Sequence, residues 1–400
     1  MPRVLLLLPT STYRATDFVR AAGRLGAEVV VGSEERQALA ADMGDRAVVV
    51  PLSDIPAAVD AIVALHERSP VDAVVAVDDQ GVEVAAAVGE RLGLRHNHPA
   101  AAAATRDKSV MRDALARAGI PQPRFVLVDE PPELDRVADT IPFPWVVKPL
   151  RLSASRGVIR ADDLPSARRA AERVRAIADG PLLVEEYVPG VEVAVEAIAR
   201  REGFEVLAVF DKPDPLVGPY FEETIYVTPS RLPSDALDAV ATITERAASA
   251  IQLSSGPVHA ELRISDRDDV RVIEIAARSI GGLCARTLRF GAGIALEELI
   301  LRDALDLPVD DLRREAAASG VMMLPIERSG VLEEVRGKDA ARAVPGITGL
   351  EITVPRGRPV VALPEGDRYL GFLFARADTP DEVEAALRAG YAALDVVLSS

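Results

Sequence analysis

The chain has 400 residues, 49% of them hydrophobic and 27% charged, with a formal net charge of −16. This balance excludes a disordered chain and argues against general nucleic-acid binding, while the length fits roughly two to four domains. Cys284 is the only cysteine, which excludes an intrachain disulfide framework and a cysteine-rich zinc site and fits a reducing, cytoplasmic setting.

The apolar run VLLLLP is too short to span a bilayer, so no membrane partner is expected. Val4–Leu8 reads as a buried strand, followed by a helix from Ala15 to Leu25 that Gly26 closes and a strand at Glu28–Val31. A helix at Glu34–Met43, a strand at Ala47–Val50, a helix at Ile55–Glu67, a strand at Ala73–Val77 and a helix at Val82–Leu92 follow. This alternation implies a doubly wound parallel α/β sheet. No G-x-G-x-x-G follows the first strand, so the dinucleotide fingerprint is missing. Asp78, Asp79 and Gln80 stand past the end of a parallel strand, where such sheets bind ligands, although helix capping by one aspartate is expected.

Thr105 or Asp107 can cap the next helix, which ends at Gly119. Lys108 then falls in a first turn, against the helix dipole, which makes sense if it reaches an anionic ligand; a solvated lysine is the alternative. Trp145–Lys148 is a strand, Leu150–Gly157 a loop of small and basic residues, and Val158–Arg160 a second strand. Such a loop can turn N–H groups onto phosphate oxygens while Lys148 adds a point charge; a plain hairpin is the competing reading. A helix at Asp163–Ala178 precedes two strands that meet at a Val-Pro-Gly turn. There Glu185 and Glu186 close one strand and Glu192 opens the other. Backbone at this linker can face an adenine edge and a carboxylate can hold ribose hydroxyls, unless the segment is merely an exposed strand end.

His259–Ile264 and Val270–Ile275 read as strands around a polar turn. Glu261 and Glu274 lie on them, and antiparallel pairing would bring both carboxylates to one face, with Arg278 four residues further on. Two carboxylates and a guanidinium suit a divalent cation shared with phosphates, or, more plainly, an exposed hairpin with an ion pair.

Taken in order, Lys108, the Lys148 loop, the Glu185–Val188 linker with Glu192, and Glu261, Glu274 and Arg278 resemble the ATP-grasp superfamily of carboxylate–amine ligases. The resemblance covers about Asp107 to Leu305. It implies that Lys108 and Lys148 contact ATP phosphates and that Ser153, Ser155 and Gly157 belong to a mobile lid loop. It further implies that Glu185 with the backbone of Tyr187 and Val188 binds adenine, that Glu192 binds ribose, and that Glu261 and Glu274 hold Mg²⁺ (or Mn²⁺). Arg278 and the N–H groups near Gly281 and Gly282 would stabilise charge in phosphoryl and acyl transfer. The family pattern E-x-N-x-R is here Glu274-Ile-Ala276-Ala-Arg278, so one metal ion would lean on Glu274, phosphate or water.

DKPDPLVGPYFEETIYVTPSRLP, EIAARSIGGLCARTLRFG and YLGFLFARADTPDEVEAALRAG look like bacterial L-amino-acid ligases, which join two amino acids. The resemblance implies an N-terminal α/β domain over 1–106 and an ATP-grasp domain over 107–314, with its lid at about 143–186. A C-terminal α+β domain over 315–400 would have strands near Val321–Ile326, Leu350–Val354, Tyr369–Ala375 and Asp395–Leu398 and a helix near Pro380–Ala393. Substrate candidates are His259, Glu222 and Glu223, and Arg286 with Arg289 on one side of a helix, clamping a carboxylate or pairing with Glu297 and Glu298. His259 reads equally well as a structural histidine and the two glutamates as an exposed turn, while Cys284 reads as packing. Small amino-acid-like substrates are the expected partners, and a homodimer fits the family. A bicarbonate-activating enzyme and a non-catalytic ATP-binding regulator, the latter suggested by Ala276, are the competing functions.

Overall fold

The computed structural model describes residues 1–10, 12–35, 44–130, 133–266, 269–309 and 311–399. The N-terminal sheet has four parallel strands in the order Ala47–Val49, Glu28–Ser33, Arg3–Leu7, Ala73–Ala76. The leucine run forms an inner strand because both of its faces are covered. Val4 and Leu6 pack with Phe18, Ala21 and Ala22 of the helix Ala15–Arg24, while Leu5 and Leu7 pack with Ile62 and Leu65 of the helix Ile55–Arg68 on the other side. This is the doubly wound arrangement expected. The helix anticipated at Glu34–Met43 lies mostly outside the described residues.

The lid is a four-stranded antiparallel sheet in the order Phe125–Val128, Leu182–Glu186, Trp145–Pro149, Ile159–Ala161. It therefore takes in residues before 143. The helix Leu164–Ile177 covers it, started by Asp163, whose side chain accepts from Ser166 N in a reciprocal capping box. Trp145, Val147, Ala170, Val174 and Val184 form the lid's core.

The central sheet explains the middle and the end of the chain together. Its eight strands run in the order Asp269–Ala276, Gly256–Asp266, Val191–Arg200, Gly203–Asp211, Ile225–Thr228, Ala318–Leu324, Gly371–Ala377, Ile347–Ile352, each pair antiparallel. The C-terminal segment thus extends the sheet that carries Glu261 and Glu274. The helix Pro380–Ala392, with a Thr379/Glu382 capping box, packs on it through Val383 and Leu387. A strand not anticipated, Gly330–Arg336, joins Pro359–Val360 and Asp395–Ser399 in a small separate sheet. Adjacent charges in its GVLEEVR sequence blur the alternation that would mark a strand. No helix among the described residues is long and apolar enough to cross a membrane.

Candidate active site

A cavity of about 480 Å³ opens where the N-terminal domain, the lid, the central sheet and the C-terminal segment meet. Its floor follows from strand register. Glu261 stands directly opposite Glu274 on the neighbouring strand, and His259 opposite Ala276. Direct partners in a ladder hold their Cβ atoms about 5 Å apart, so both carboxylates rise from one face. Asp107 caps the helix Lys108–Arg117 by accepting from Ser109 N (2.9 Å) and Val110 N (3.3 Å). This places Lys108 Nζ 3.5 Å from Glu274 and lets it donate to Leu152 O at 2.8 Å.

Arg278 follows just past the end of the strand Asp269–Ala276 that carries Glu274. Its Nε lies 3.1 Å from Asp79, which Arg106 also approaches at 3.4 Å. Burial pushes the Asp79 carboxyl up, but the two guanidiniums outweigh it and hold the group well below the ordinary carboxylate range. This corrects the capping expectation: Asp78, at the N-cap of the turn Asp79–Gly81, makes no side-chain cap, and Asp79 instead orients Arg278.

At the lid side, Lys148 Nζ is 2.6 Å from one oxygen of Glu185, and Arg112 Nε donates to the other at 2.6 Å. Burial lowers the Lys148 pKa despite this carboxylate. Both Glu185 oxygens are thus committed to cations of the protein, so its side chain positions Lys148 instead of standing free for adenine. Tyr187 N donates to Pro144 O (2.9 Å), and Val188 O accepts from Arg263 (2.7 Å). No hydrogen bond among the described residues uses Tyr187 C=O or Val188 N–H, and that pair suits an adenine edge. Ser153 and Ser155 line the cavity, with Ala154 and Ser155 both in the left-handed region. Gly157 does not line it: its N–H donates to Pro364 O at 2.9 Å, tying the loop to the C-terminal segment.

Glu192, offered above for ribose, accepts from Lys212 Nζ (2.7 Å) and Arg263 Nε (2.6 Å) at the cavity wall. Lys212 had no assigned role in the sequence, although it directly follows the strand Gly203–Asp211. It also contacts Glu223 and lies 3.5 Å from Glu261. Burial opposes its charge, but Glu192, Glu223 and Glu261 raise its pKa above the ordinary lysine range. His259 Nδ1 is 2.6 Å from the buried Glu196, and its Nε2 is 3.6 Å from Glu261.

Three substrate candidates are corrected. Glu222 does not line the cavity; it accepts from Ile326 N at 3.3 Å. Arg286 and Arg289 share no helix, because this stretch forms the short turn Cys284–Thr287 and the strand Arg289–Phe290, and a helix resumes only at Leu296. Arg286 pairs with Asp17 (2.7 Å) and Glu351; Arg289 donates to the Leu288 carbonyl (2.6 Å), and neither reaches the cavity. Glu298 pairs instead with Arg24 and Arg302. Gly282 does line the cavity, in the left-handed region at φ +59°, where a Cβ would sit 2.6 Å from the Phe372 ring. Cys284 is buried, and burial pushes its thiol far up.

The family model of the ATP-grasp domain matches residues 141–287, that of the ATP-grasp N-terminal domain residues 19–96, and that of the L-amino acid ligase C-terminal domain 2 residues 322–399. The chain belongs to the ATP-grasp superfamily. Alanine–anticapsin ligase of Bacillus subtilis strain 168 is 26% identical over 266 residues, which are 61% of this chain and 56% of that one. Formate-dependent phosphoribosylglycinamide formyltransferase of Synechococcus sp. strain RCC307 is 28% identical over 400 residues, 96% of this chain and 98% of that one. The crystal structure of L-amino acid ligase from Bacillus licheniformis superposes with a TM-score of 0.86 at 24% identity, covering 100% of this chain and 99% of that one. The match spans 56–61% of the length of the first curated relatives. This ATP-grasp chain therefore shares its fold with that Bacillus licheniformis ligase along its whole length, C-terminal segment included.

The donor set also fits a divalent cation. Two carboxylates opposite each other on adjacent strands are hard oxygen ligands. Ala276 is buried and adds no oxygen. Glu192, Glu223 and Glu261 also bring oxygens within 4.8 Å of one another, but Lys212 already supplies positive charge there.

Proposed function

We propose that this ATP-grasp protein is a ligase that forms an amide bond between two small amino-acid-like substrates through an acylphosphate, releasing ADP and phosphate. The observation that carries the reading is the pairing of Glu261 with Glu274 beneath Lys108, with Arg278, just past the Glu274 strand, held by Asp79. Glu261 and Glu274 would hold Mg²⁺, which when bound offsets charge on phosphoryl oxygens. Lys108 and Lys148 would contact the phosphates, and the linker Glu185–Val188 the adenine. A substrate carboxylate oxygen attacks the γ-phosphorus and ADP leaves; an amine then attacks the acyl carbon and phosphate leaves. Arg278, fixed by Asp79, faces the oxyanion of that second step. The lid loop excludes water that would hydrolyse the acylphosphate.

The test is incubation with ATP, Mg²⁺ and pools of amino acids, reading ADP and product mass, with formate and bicarbonate as separate acid arms. A condensed product from two amino acids supports the reading. ADP formed only with bicarbonate refutes it in favour of a carboxylase-like enzyme, and ATP binding without turnover refutes it in favour of a regulator. Glu274→Ala should abolish ADP release; unchanged turnover would remove Glu274 from the metal site.

A further inference from the structure

The C-terminal segment sends one loop, residues 362–369, to the cavity, and Asp367, Arg368 and Tyr369 line it. This loop holds the lid directly and reaches the N-terminal domain through Phe372. Pro364 O takes the N–H of Gly157 from the lid loop, and Glu365 holds Arg173 of the lid helix at 2.6 and 2.9 Å. Tyr369 packs edge-on against Phe372 (6.1 Å), which also packs edge-on against Tyr13 of the N-terminal domain (5.6 Å). The same Phe372 ring closes against Gly282, next to Arg278 and the acyl-transfer wall. The loop is therefore on the Gly282 side of the cavity, where the acyl-transfer step is assigned above.

Arg368 is the cation this loop presents. It is half exposed, and its Nε donates to Asp367 at 2.9 Å. Among the described residues its two terminal nitrogens donate no hydrogen bond. A guanidinium with its fork open, in a cavity, matches a carboxylate in bidentate geometry. The rings of Tyr13 and Tyr369 beside it offer apolar surface for a small side chain.

We propose that Arg368 binds the α-carboxylate of the amine-donating substrate, so that the loop 362–369 selects a free α-amino acid as acyl acceptor. This rests on the ligase reading above. In the step it serves, the amine lone pair forms the C–N bond and the acyl C–O bond breaks. Phosphate departs with that electron pair, and the nitrogen's extra proton is released to solvent. Because residues 364 and 365 also pin the lid, the site that holds the acceptor is part of the closed wall that keeps water from the acylphosphate.

The experiment compares two nucleophiles on wild type, Arg368→Ala and Arg368→Lys. Hydroxylamine attacks an acylphosphate without needing a carboxylate contact, so hydroxamate reports activation of the first substrate alone. For Arg368→Ala the amino-acid acceptor's KM should rise about 10- to 100-fold, the range for losing a charged hydrogen-bonded contact. Hydroxamate formation and the KM for ATP should stay within about twofold. Arg368→Lys should recover part of the loss, and an amino-acid amide as acceptor should be indifferent to the substitution. An unchanged acceptor KM, or hydroxamate falling in parallel with dipeptide, would overturn the assignment. Wild type that yields neither hydroxamate nor dipeptide would overturn the ligase reading itself, a failure distinguishable because it appears before any variant is made.

Discussion

Arg112→Met tests whether the lid-side lysine is held by a buried charge network. Arg112 is 0% exposed and donates to Glu185 Oε1 (2.6 Å), Val272 O (3.0 Å) and Ile273 O (2.6 Å). It thereby ties the lid strand Leu182–Glu186 to the strand that carries Glu274. Removing one partner of a buried ion pair costs about 3–5 kcal/mol. Lys148 still faces Glu185, which favours the lower end, while two backbone carbonyls lose a donor, which favours the upper. At a urea slope of about 2 kcal/mol per molar, the loss is a drop in midpoint of about 2 M. The lid carries its own probe, because Trp145 is the only tryptophan, is fully buried and stacks on Phe143 with ring centroids 3.9 Å apart. Its fluorescence in urea should report the shift, and adding Glu185→Gln to the variant should deepen it, because the buried Lys148 then loses its counter-charge. A midpoint within about 0.3 M of wild type would refute the assignment of Arg112 as an anchor.

Lys212→Met should cost about 3–5 kcal/mol by leaving Glu192, Glu223 and Glu261 facing one another. Millimolar Mn²⁺ should then raise the melting temperature of the variant more than that of wild type, and equal shifts would argue against carboxylate repulsion there. Gly282→Ala meets both a left-handed backbone and the Phe372 ring 2.6 Å away, for a loss of at least about 2 kcal/mol. Pairing it with Phe372→Leu should recover the contact part, read by thermal melting. His96 is held down to about 4 by burial, from 6.5, against the opposing hydrogen bond with the Asn97 backbone, and among the described residues its Nδ1 has no hydrogen-bond partner. The unfolded chain therefore binds a proton that the folded chain refuses, so this contribution is complete above pH 6.5 and is lost as pH falls toward 4. By pH 5 the loss is about 2 kcal/mol, and His96→Gln should show that much less acid sensitivity in urea midpoints.

Local chemistry was legible in the sequence because it is written in neighbouring residues. The leucine run announced a buried strand, Asp107 was one of two candidate helix caps and Asp163 marked a helix start, and antiparallel pairing of the runs around residues 265–269 could bring Glu261 and Glu274 to one face, where the register puts them opposite each other. What spacing along the chain does not encode is which partner a charge meets. Arg112 reaches Glu185 across 73 positions, Arg278 meets Asp79 from another domain, and Lys212 gathers glutamates from three different strands and turns. Arg286 and Arg289 looked like a helical pair, yet the chain there turns back twice and sends Arg286 to Asp17. The C-terminal segment read as a separate unit, whereas its strands continue the central sheet and its loop closes the cavity. Periodicity and capping are properties of one segment in its own frame and survive without the rest of the molecule. Burial and charge pairing depend on what is packed opposite, and that is decided only when distant segments share one sheet.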